Sequence, residues 1–356
     1  MRARHKRGSG SVTCHDNHAI GLDLGATAAR AAVLAVRGHD GAAHVATQQV
    51  AGTPLAPGTV VNGVVEDPAA LTAALKELWK SEGIGCRNVI LGVANPQIQV
   101  RDLQMPDLEP AQRARALPYQ ARDVIAMPVD QVVLDFAALG GPAADTGLVD
   151  GILVACPREP VAMAVAAVEA AGLKVVRVDL SSFAVLRSAA TEGLAAEAII
   201  DVGAQLTTIV VHERGVPKLV RTLTRGGEEL TRRLAERLGM SLQDAEEAKC
   251  RDGLAVRGEV ASVLAELVAP LITDIRTSLN YFRTGNADAR IEQVALTGRG
   301  ALLPGLANAI GAQVGATTVL AEPARLLEPP AKAKKRGFDT RWATAQSVGL
   351  AIGAAA

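Results

Sequence analysis

The sequence predicts a two-lobed α/β fold, and three observations predict it. The first is a strand–turn–strand motif that occurs twice. Ile20-Gly-Leu-Asp23-Leu-Gly25-Ala-Thr27 leads into an apolar run to Val36, and Ile199-Ile-Asp201-Val-Gly203-Ala-Gln-Leu-Thr207 leads into Thr208 to His212. The copies lie roughly 180 residues apart, a duplication that points to two similar halves. The second is size: 356 residues, 49% hydrophobic, can bury one large core or two of ordinary size. The third is the near absence of aromatic residues, 2% of the chain. The core must then be filled by Ala, Val, Leu and Ile, which suits closely packed helix and sheet layers.

Ile20 to Leu24, Ala29 to Val36 and His44 to Val50 read as three strands. Pro68 opens a helix through Trp79, with Asp67 as N-cap and Gly83 near its end. Asn88 to Val93 is a buried strand. From Asn95 the texture changes to polar–apolar alternation punctuated by Pro96, Pro106 and Pro110. A helix from about Glu109 to Ala126 follows, kinked or interrupted at Pro118. Val132 to Ala138 and Gly151 to Ala155 are strands around a Gly-rich loop, so this segment is a small α+β insertion in the first lobe. Pro160 to Ala171 is a helix closed by Gly172, Lys174 to Val178 a short strand, and Asp179 to Ala190 a helix.

After the second motif come a helix from Glu228 to Leu238, closed by Gly239, and a helical segment from Ser241 to Lys249. Ser241 and Asp244 stand at capping-box spacing there. A long helix runs from Arg257 to about Phe282, bent if anywhere at Pro270. Val294 to Thr297 is a strand, Gly298-Arg299-Gly300 a turn, and Leu302 to Ala312 a helix. Glu328 to Gly337 is an exposed loop, and a small-residue helix from Trp342 to Ala355 ends the chain.

Several functions are disfavoured. The net charge is zero, which argues against a general nucleic-acid surface. Cys14, Cys86, Cys156 and Cys250 are widely spaced and read as thiols of a reducing compartment. No apolar run approaches the ~18 residues of a membrane span. The basic, Gly/Ser-rich first residues lack the apolar stretch of a signal peptide and read as a solvated tail. Cys14, His15 and His18 lack a second ligand pair at zinc-site spacing.

The two turns carry the chemistry. A tight bend after a strand presents backbone N–H groups, and its glycine lets a ligand approach closely. An Asp at the strand end can hold a divalent cation, and magnesium shares phosphate oxygens with one or two carboxylates. Two facing turns would clamp the β- and γ-phosphates with Asp23 and Asp201 at the metal. There is neither a P-loop motif nor a Rossmann fingerprint. The strand–helix junction Thr297-Gly298-Arg299-Gly300-Ala301 leaves bare backbone for an adenine or ribose, ahead of helix N–H groups.

This set resembles the actin-like ATPase superfamily, which includes actin, sugar kinases and the bacterial FtsA and MreB proteins. Asp23-Leu-Gly-Ala-Thr27 looks like its first phosphate loop, Asp201-Val-Gly-Ala-Gln205 its second, and Leu296-Thr-Gly-Arg-Gly-Ala301 its adenosine motif. Gly226-Gly-Glu-Glu229 and Ala245-Glu-Glu-Ala-Lys249 resemble its subdomain 2B. Within the superfamily the chain resembles the PilM family of type IV pilus assembly. That likeness rests on Met105-Pro-Asp-Leu-Glu109, Leu117-Pro-Tyr-Gln-Ala-Arg122 and Met127-Pro-Val-Asp-Gln-Val-Val-Leu-Asp-Phe136 in order, then Val178 to Leu186 and Ser347 to Ile352. Three positions depart from the family pattern: Ser181 for an acidic residue, Arg30 for a lysine, and Arg299 for a glycine.

The resemblance implies an actin-like, ribonuclease H-like two-lobe fold. Residues 1–18 would be a tail, 19–87 with 173–195 the first lobe, and 88–172 an SHS2-like inserted subdomain. The second lobe would take 196–225 with 291–356, and 226–290 would be subdomain 2B. It implies ATP and Mg2+ as cofactors, held by Asp23, Gly25, Ala26, Thr27, Arg30, Asp201, Gly203, Ala204, Gln205, Thr207, Gly227, Glu228, Glu246, Lys249, Gly298, Arg299 and Gly300, with at most slow hydrolysis. It implies as partner the N-terminal cytoplasmic peptide of a PilN-like membrane protein, gripped between first lobe and insertion by Met105, Leu108, Leu117, Val133, Leu134 and Phe136. Other pilus assembly proteins and self-association belong to the same expectation. The protein would be cytoplasmic, reaching the inner face of the membrane only through partners. An FtsA-like division protein would end in a membrane-binding amphipathic helix, but this Ala/Gly-rich C-terminus, with Arg341 its only nearby cation, is not built for lipid. A sugar-kinase-type phosphotransferase needs a general base at a substrate hydroxyl. Asp179 and Glu66 are carboxylates for that cleft, with a helix N-cap and a surface loop as their plainer roles.

Overall fold

Residues 18–39, 42–286, 289–321 and 344–353 are described by a computed structural model of the chain. The chain opens with an antiparallel meander, β1 (His18–Leu24), β2 (Ala28–His39) and β3 (Ala42–Pro54). β1 is apolar on consecutive residues because both its faces are covered. A small hairpin follows, β4 (Val60–Val61) and β5 (Val64–Val65), turning on Asn62 and Gly63 at φ 49° and 80°. None of the expectations above includes it, although Asn-Gly between valine pairs is a strong hairpin signal. Helix α1 (Pro68–Glu82) has the expected ends: Asp67 Oδ1 accepts from Ala70 N–H at 2.9 Å, and Gly83 stops it at φ 65°.

After β6 (Asn88–Val93) comes the insertion: β7 (Gln99–Pro106), α2 (Pro110–Ala121), β8 (Val132–Ala138) and β9 (Leu148–Pro157). Its antiparallel sheet has the order β7-β9-β8 and its own core around Met105, Leu117, Phe136 and Leu153. The alternating, proline-marked stretch is therefore strand β7. Helix α2 contains Pro118 but stops at Ala121, short of Ala126. The Ala121 carbonyl accepts from both Val124 and Ile125, and the turn delivers Ile125 to the core. Next come α3 (Arg158–Ala170), β10 (Lys174–Leu180) and α4 (Ser181–Ala189). Asp179 stays in β10 and caps nothing; it pairs with Arg187 one helical stretch on. Glu66 is exposed.

The second half runs β11 (Ala196–Val202), β12 (Thr207–Glu213), β13 (Val216–Leu223), α5 (Gly227–Leu238), α6 (Leu242–Arg251), α7 (Glu259–Gly285), β14 (Gln293–Thr297), α8 (Leu306–Val314), β15 (Thr317–Leu320) and α9 (Ala345–Ile352). The lobe 1 sheet has the order β3-β2-β1-β6-β10 and the lobe 2 sheet β13-β12-β11-β14-β15. In both, an antiparallel meander is extended by two parallel strands, so the duplicated motif marks a duplicated sheet. The helix expected from Leu302 begins only at Leu306. Gly298 (φ 81°) and Gly305 (φ 86°) bracket a 3-10 turn at Arg299–Leu302 first. Strand β15 was not anticipated. The expected loop Glu328 to Gly337, the N-terminal tail and Trp342 lie outside the described residues.

Two helices lie across the lobe boundary. α9 was expected with the second lobe, yet Val348, Leu350 and Ala351 pack on Ala19, Ala32, Leu34 and Ile90 of lobe 1. Conversely Val185, Leu186 and Ala189 of α4, expected with the first lobe, pack on Ile199, Val210 and Ala295 of lobe 2. Each sheet sends its last helix to its twin because α4 and α9 pack on each other between them. The crossing is backbone-close. A Cβ on Gly349 would stand 1.8 Å from the Ala184 carbonyl oxygen, and one on Gly21 1.9 Å from that of Ser347. Ser188 Oγ donates to Ala345 O at 2.7 Å and Arg187 Nε to Gly349 O at 3.0 Å. Gly349→Ala should therefore destabilise the protein by about 1–3 kcal/mol or more in urea unfolding. Gly140→Ala, where nothing lies within 4 Å of the new methyl, should stay within about 0.5 kcal/mol.

Candidate functional site

A cleft of about 830 Å³ lies between the lobes at the ends of β1 and β11. From lobe 1 it is lined by Asp23, Gly25, Ala26, Thr27 and Arg30. From the second half come Asp201, Gly203, Ala204, Gln205, Gly227, Glu228, Glu246, Lys249, Gly298, Arg299 and Gly300. Thr207 is the exception. It is buried in β12 and its Oγ1 donates to Arg225 O at 2.8 Å, while Thr208 lines the cleft. Strand register explains this: Asp23 stands opposite Arg30 and Asp201 opposite Thr208, and paired residues share a face.

The two turns have one geometry. Gly25 N–H donates to Ala28 O at 3.1 Å, and Gly203 N–H to Leu206 O at 2.9 Å. Each glycine N–H is thus used within its own turn. Among the described residues no protein group accepts from the N–H of Ala26, Thr27, Ala204 or Gln205, so these donors remain for a ligand. Gly298 and Gly300 fit tightly: a Cβ there would meet the Val202 carbonyl oxygen at 2.5 and 2.9 Å. The bareness of this turn is thus required by the neighbouring strand.

Electrostatics set the two aspartates apart from the remaining carboxylates. Both are buried, at 4% and 6% exposure. Burial raises the carboxyl of Asp23 above its ordinary value, opposed by Arg30, whose Nη1 lies 3.1 Å from Oδ2. Burial likewise lifts Asp201 to about 6, against a hydrogen bond from Gln346 Nε2 (2.8 Å) and with repulsion from Asp23 adding to the rise. Two desolvated carboxylates that repel each other call for a cation or a proton between them. Arg30 supplies part of that charge, and its Nε is buried without a partner among the described residues.

The α5–α6 side of the cleft is more self-contained. Lys249 Nζ donates to Gly227 O (2.9 Å), Thr231 Oγ1 (2.7 Å) and Glu246 Oε2 (2.6 Å), which accounts for its three hydrogens. Burial raises Glu246, but hydrogen bonds from Lys249 and Thr231 outweigh it and hold the carboxyl below its usual value. The N–H groups of Gly227 and Glu228 bind the carbonyls of Gly203 (3.0 Å) and Ala204 (2.8 Å), so these two residues line the cleft without offering those donors.

Sequence reasoning missed Gly63, Asn95, Thr208, Gln346 and Cys250, all in the cleft wall. Thr208 was findable, since it stands seven residues after Asp201 as Arg30 does after Asp23. Gln346 arrives on α9 with no local signal. The six residues expected at the peptide groove differ in exposure. Met105, Leu117 and Phe136 are core residues of the insertion, and Leu134 packs against that core. Met105, Leu117 and Phe136 are thus covered by the insertion itself; Phe136 covers Gly151 and stacks under Arg113 at 5.7 Å. Val133 is exposed and Leu108 half-buried. None of the six lines the interlobe cleft or a second groove of about 1190 Å³ between insertion and lobe 2.

Twin sheets bearing Asp-x-Gly turns across a shared cleft define an actin-like two-lobe fold. Comparison with solved structures agrees. EutJ, an ethanolamine utilization protein from Carboxydothermus hydrogenoformans, superposes with TM-score 0.54 at 16% identity, covering 96% of this chain and 92% of that one. MreB5 of Spiroplasma citri bound to AMPPNP gives 0.51 at 13%, covering 95% and 96%. At these identities the likeness shows fold alone. A PilM–PilN type IV pilus biogenesis complex gives 0.80 at 28%, covering 95% of this chain and 98% of that one. A family model described as type IV pilus assembly protein PilM matches residues 21–355. The chain belongs to the PilM family.

The raised carboxyl of Asp201 has a signed consequence. Its folded value, about 6, exceeds the ordinary 3.8, so the folded protein binds more protons between those values. At this group stability therefore rises as pH falls from 7 towards 4, by up to about 3 kcal/mol. Asp201→Asn should raise the melting temperature of the ligand-free protein at pH 7.5 and flatten its pH dependence. A lowered melting temperature would contradict the burial argument.

Proposed function

We propose that the cleft binds ATP with magnesium, and that the protein is a nucleotide-binding scaffold of type IV pilus assembly. The observation that carries this reading is the facing pair of Asp-x-Gly turns, each with unpartnered N–H groups beside a desolvated carboxylate. Phosphate oxygens suit the N–H groups. Asp23 and Asp201 would hold the magnesium, an oxygen-only donor set that leaves room for water and phosphate. The ion supplies positive charge to the phosphates. Arg30 and the turn amides orient them, and Gly298 and Gly300 leave flat backbone for the adenosine. The MreB relative was solved with AMPPNP, which is compatible with this use of the fold.

Binding is favoured over turnover. Among the described residues each carboxylate of the cleft wall has a side-chain partner, Asp23 in Arg30, Asp201 in Gln346, Glu228 in Gln205 and Glu246 in Lys249, and none stands unengaged as a general base. A group that activates water must be able to reach it. Hydrolysis, if measured, should be slow.

The partner reading is a PilN-like membrane protein whose N-terminal peptide the insertion grips. It is supported by family membership and by the PilM relative, which was solved as a PilM–PilN complex. The insertion's exposed residues, Val133 among them, would make the contact. Among the described residues no helix is long and apolar enough to cross a membrane. Recruitment to the inner face of the membrane would then run through the partner, with the protein itself cytoplasmic.

Thermal unfolding tests the nucleotide reading. ATP–magnesium at about 100 times its dissociation constant should stabilise the wild type by roughly 2.7 kcal/mol, with most of that lost in Asp23→Ala. An unshifted wild type would sink the reading. Capture of a PilN-type peptide with and without saturating ATP–magnesium tests the partner; failure under both conditions would remove it.

A further inference from the structure

The β4–β5 hairpin of lobe 1 reaches the second Asp-x-Gly turn of lobe 2. Asn62 N–H donates to Gln205 Oε1 at 2.8 Å, and Gln205 Nε2 donates to Glu228 Oε2 at 3.0 Å. One side-chain amide therefore joins lobe 1, the phosphate-type turn and the first turn of α5. The chemistry fixes its orientation: a backbone N–H only donates and a carboxylate only accepts. A glutamate here would face Glu228 with like charge, and a leucine would bridge nothing.

The hairpin tip packs against its own lobe at Ala94 and against the lobe 2 turn at Leu206. Gly63 has φ 80°, and a Cβ on it would fall 1.6 Å from the Ala94 carbonyl oxygen at the end of β6 and 3.5 Å from Leu206 Cδ1. Asn62, at φ 49°, completes the left-handed turn that aims its N–H. On the other side the turn moves with α5, because Gly227 and Glu228 donate to Gly203 and Ala204. Gly63, Gln205 and Glu228 all line the cleft. Opening the lobes along this edge must break the Asn62–Gln205 bond.

We propose that Gln205 is a latch between the lobes that sets how fast nucleotide leaves the cleft. This rests on the reading that the cleft binds nucleotide. The test combines release of a preloaded fluorescent ADP, chased with unlabelled ADP, and hydrogen exchange of the Asn62 amide in the nucleotide-free protein. The variants are Gln205→Leu, which removes the amide, and Gly63→Ala, which pushes the tip off Ala94 without altering Gln205. Both should deprotect the Asn62 amide and speed release about threefold to tenfold, the range of one net hydrogen bond. Unchanged release in both variants, with the Asn62 amide deprotected, overturns the latch. So does faster release in Gln205→Leu alone, which would make Gln205 a direct ligand contact. A wild type that takes up no fluorescent ADP instead removes the nucleotide reading beneath it.

Discussion

The close crossing of α4 and α9 is the constraint on which the rest of the molecule depends. α4 packs on the second sheet and α9 on the first, and each packs on the other. By exchanging helices, and by meeting at Ala184 and Gly349 with no side chain between the backbones, the two sheets share a floor. That floor fixes where β1 and β11 end. Asp23 is brought close enough for its charge to help raise the carboxyl of Asp201, and both line the cleft. Gln346 shows the same dependence from the other side, since α9 carries it to Asp201.

The cleft is a site of frustrated charge. Protein interiors usually satisfy buried carboxylates completely. Here, among the described residues, two are buried with one neutral amide and one guanidinium as their side-chain partners, Gln346 for Asp201 and Arg30 for Asp23, and a set of unpartnered backbone donors lies nearby. Such an arrangement costs stability in the empty protein and lowers the cost of receiving a ligand that brings both cation and anion. The α5–α6 wall is different in kind: Lys249, Thr231 and Glu246 satisfy one another, and this wall contributes shape more than unmet charge. Proteins built this way trade ligand-free stability for binding.

What could be read from the sequence follows the range of the interactions involved. Asp67 and Gly83 bracket α1 through contacts within a few residues, and the Asp-x-Gly turns close on their own strands; both were legible. Asn62-Gly63 was equally local and equally legible, but its importance lies in Gln205, 143 positions away. Register was partly legible: the seven-residue offset that puts Arg30 beside Asp23 also puts Thr208, and not Thr207, beside Asp201. Met105, Leu117 and Phe136 mark the limit. Apolar residues in a motif show that something is covered, not whether another chain or the insertion's own sheet covers it. The early helix end at Ala121 serves the insertion's core, to which the following turn delivers Ile125, whereas the late start at Leu306 follows from Gly298 and Gly305, a local signal that went unread.

The central claim is that the two Asp-x-Gly turns are halves of one nucleotide clamp. Isothermal titration of ATP–magnesium into the wild type, Gly25→Val and Gly203→Val addresses it directly, since each variant crowds one turn and leaves the other intact. The account predicts one nucleotide per chain, with affinity falling at least about tenfold in either variant, roughly 1.4 kcal/mol. Unchanged affinity in one of the two variants would show that a single turn suffices and would contradict the clamp.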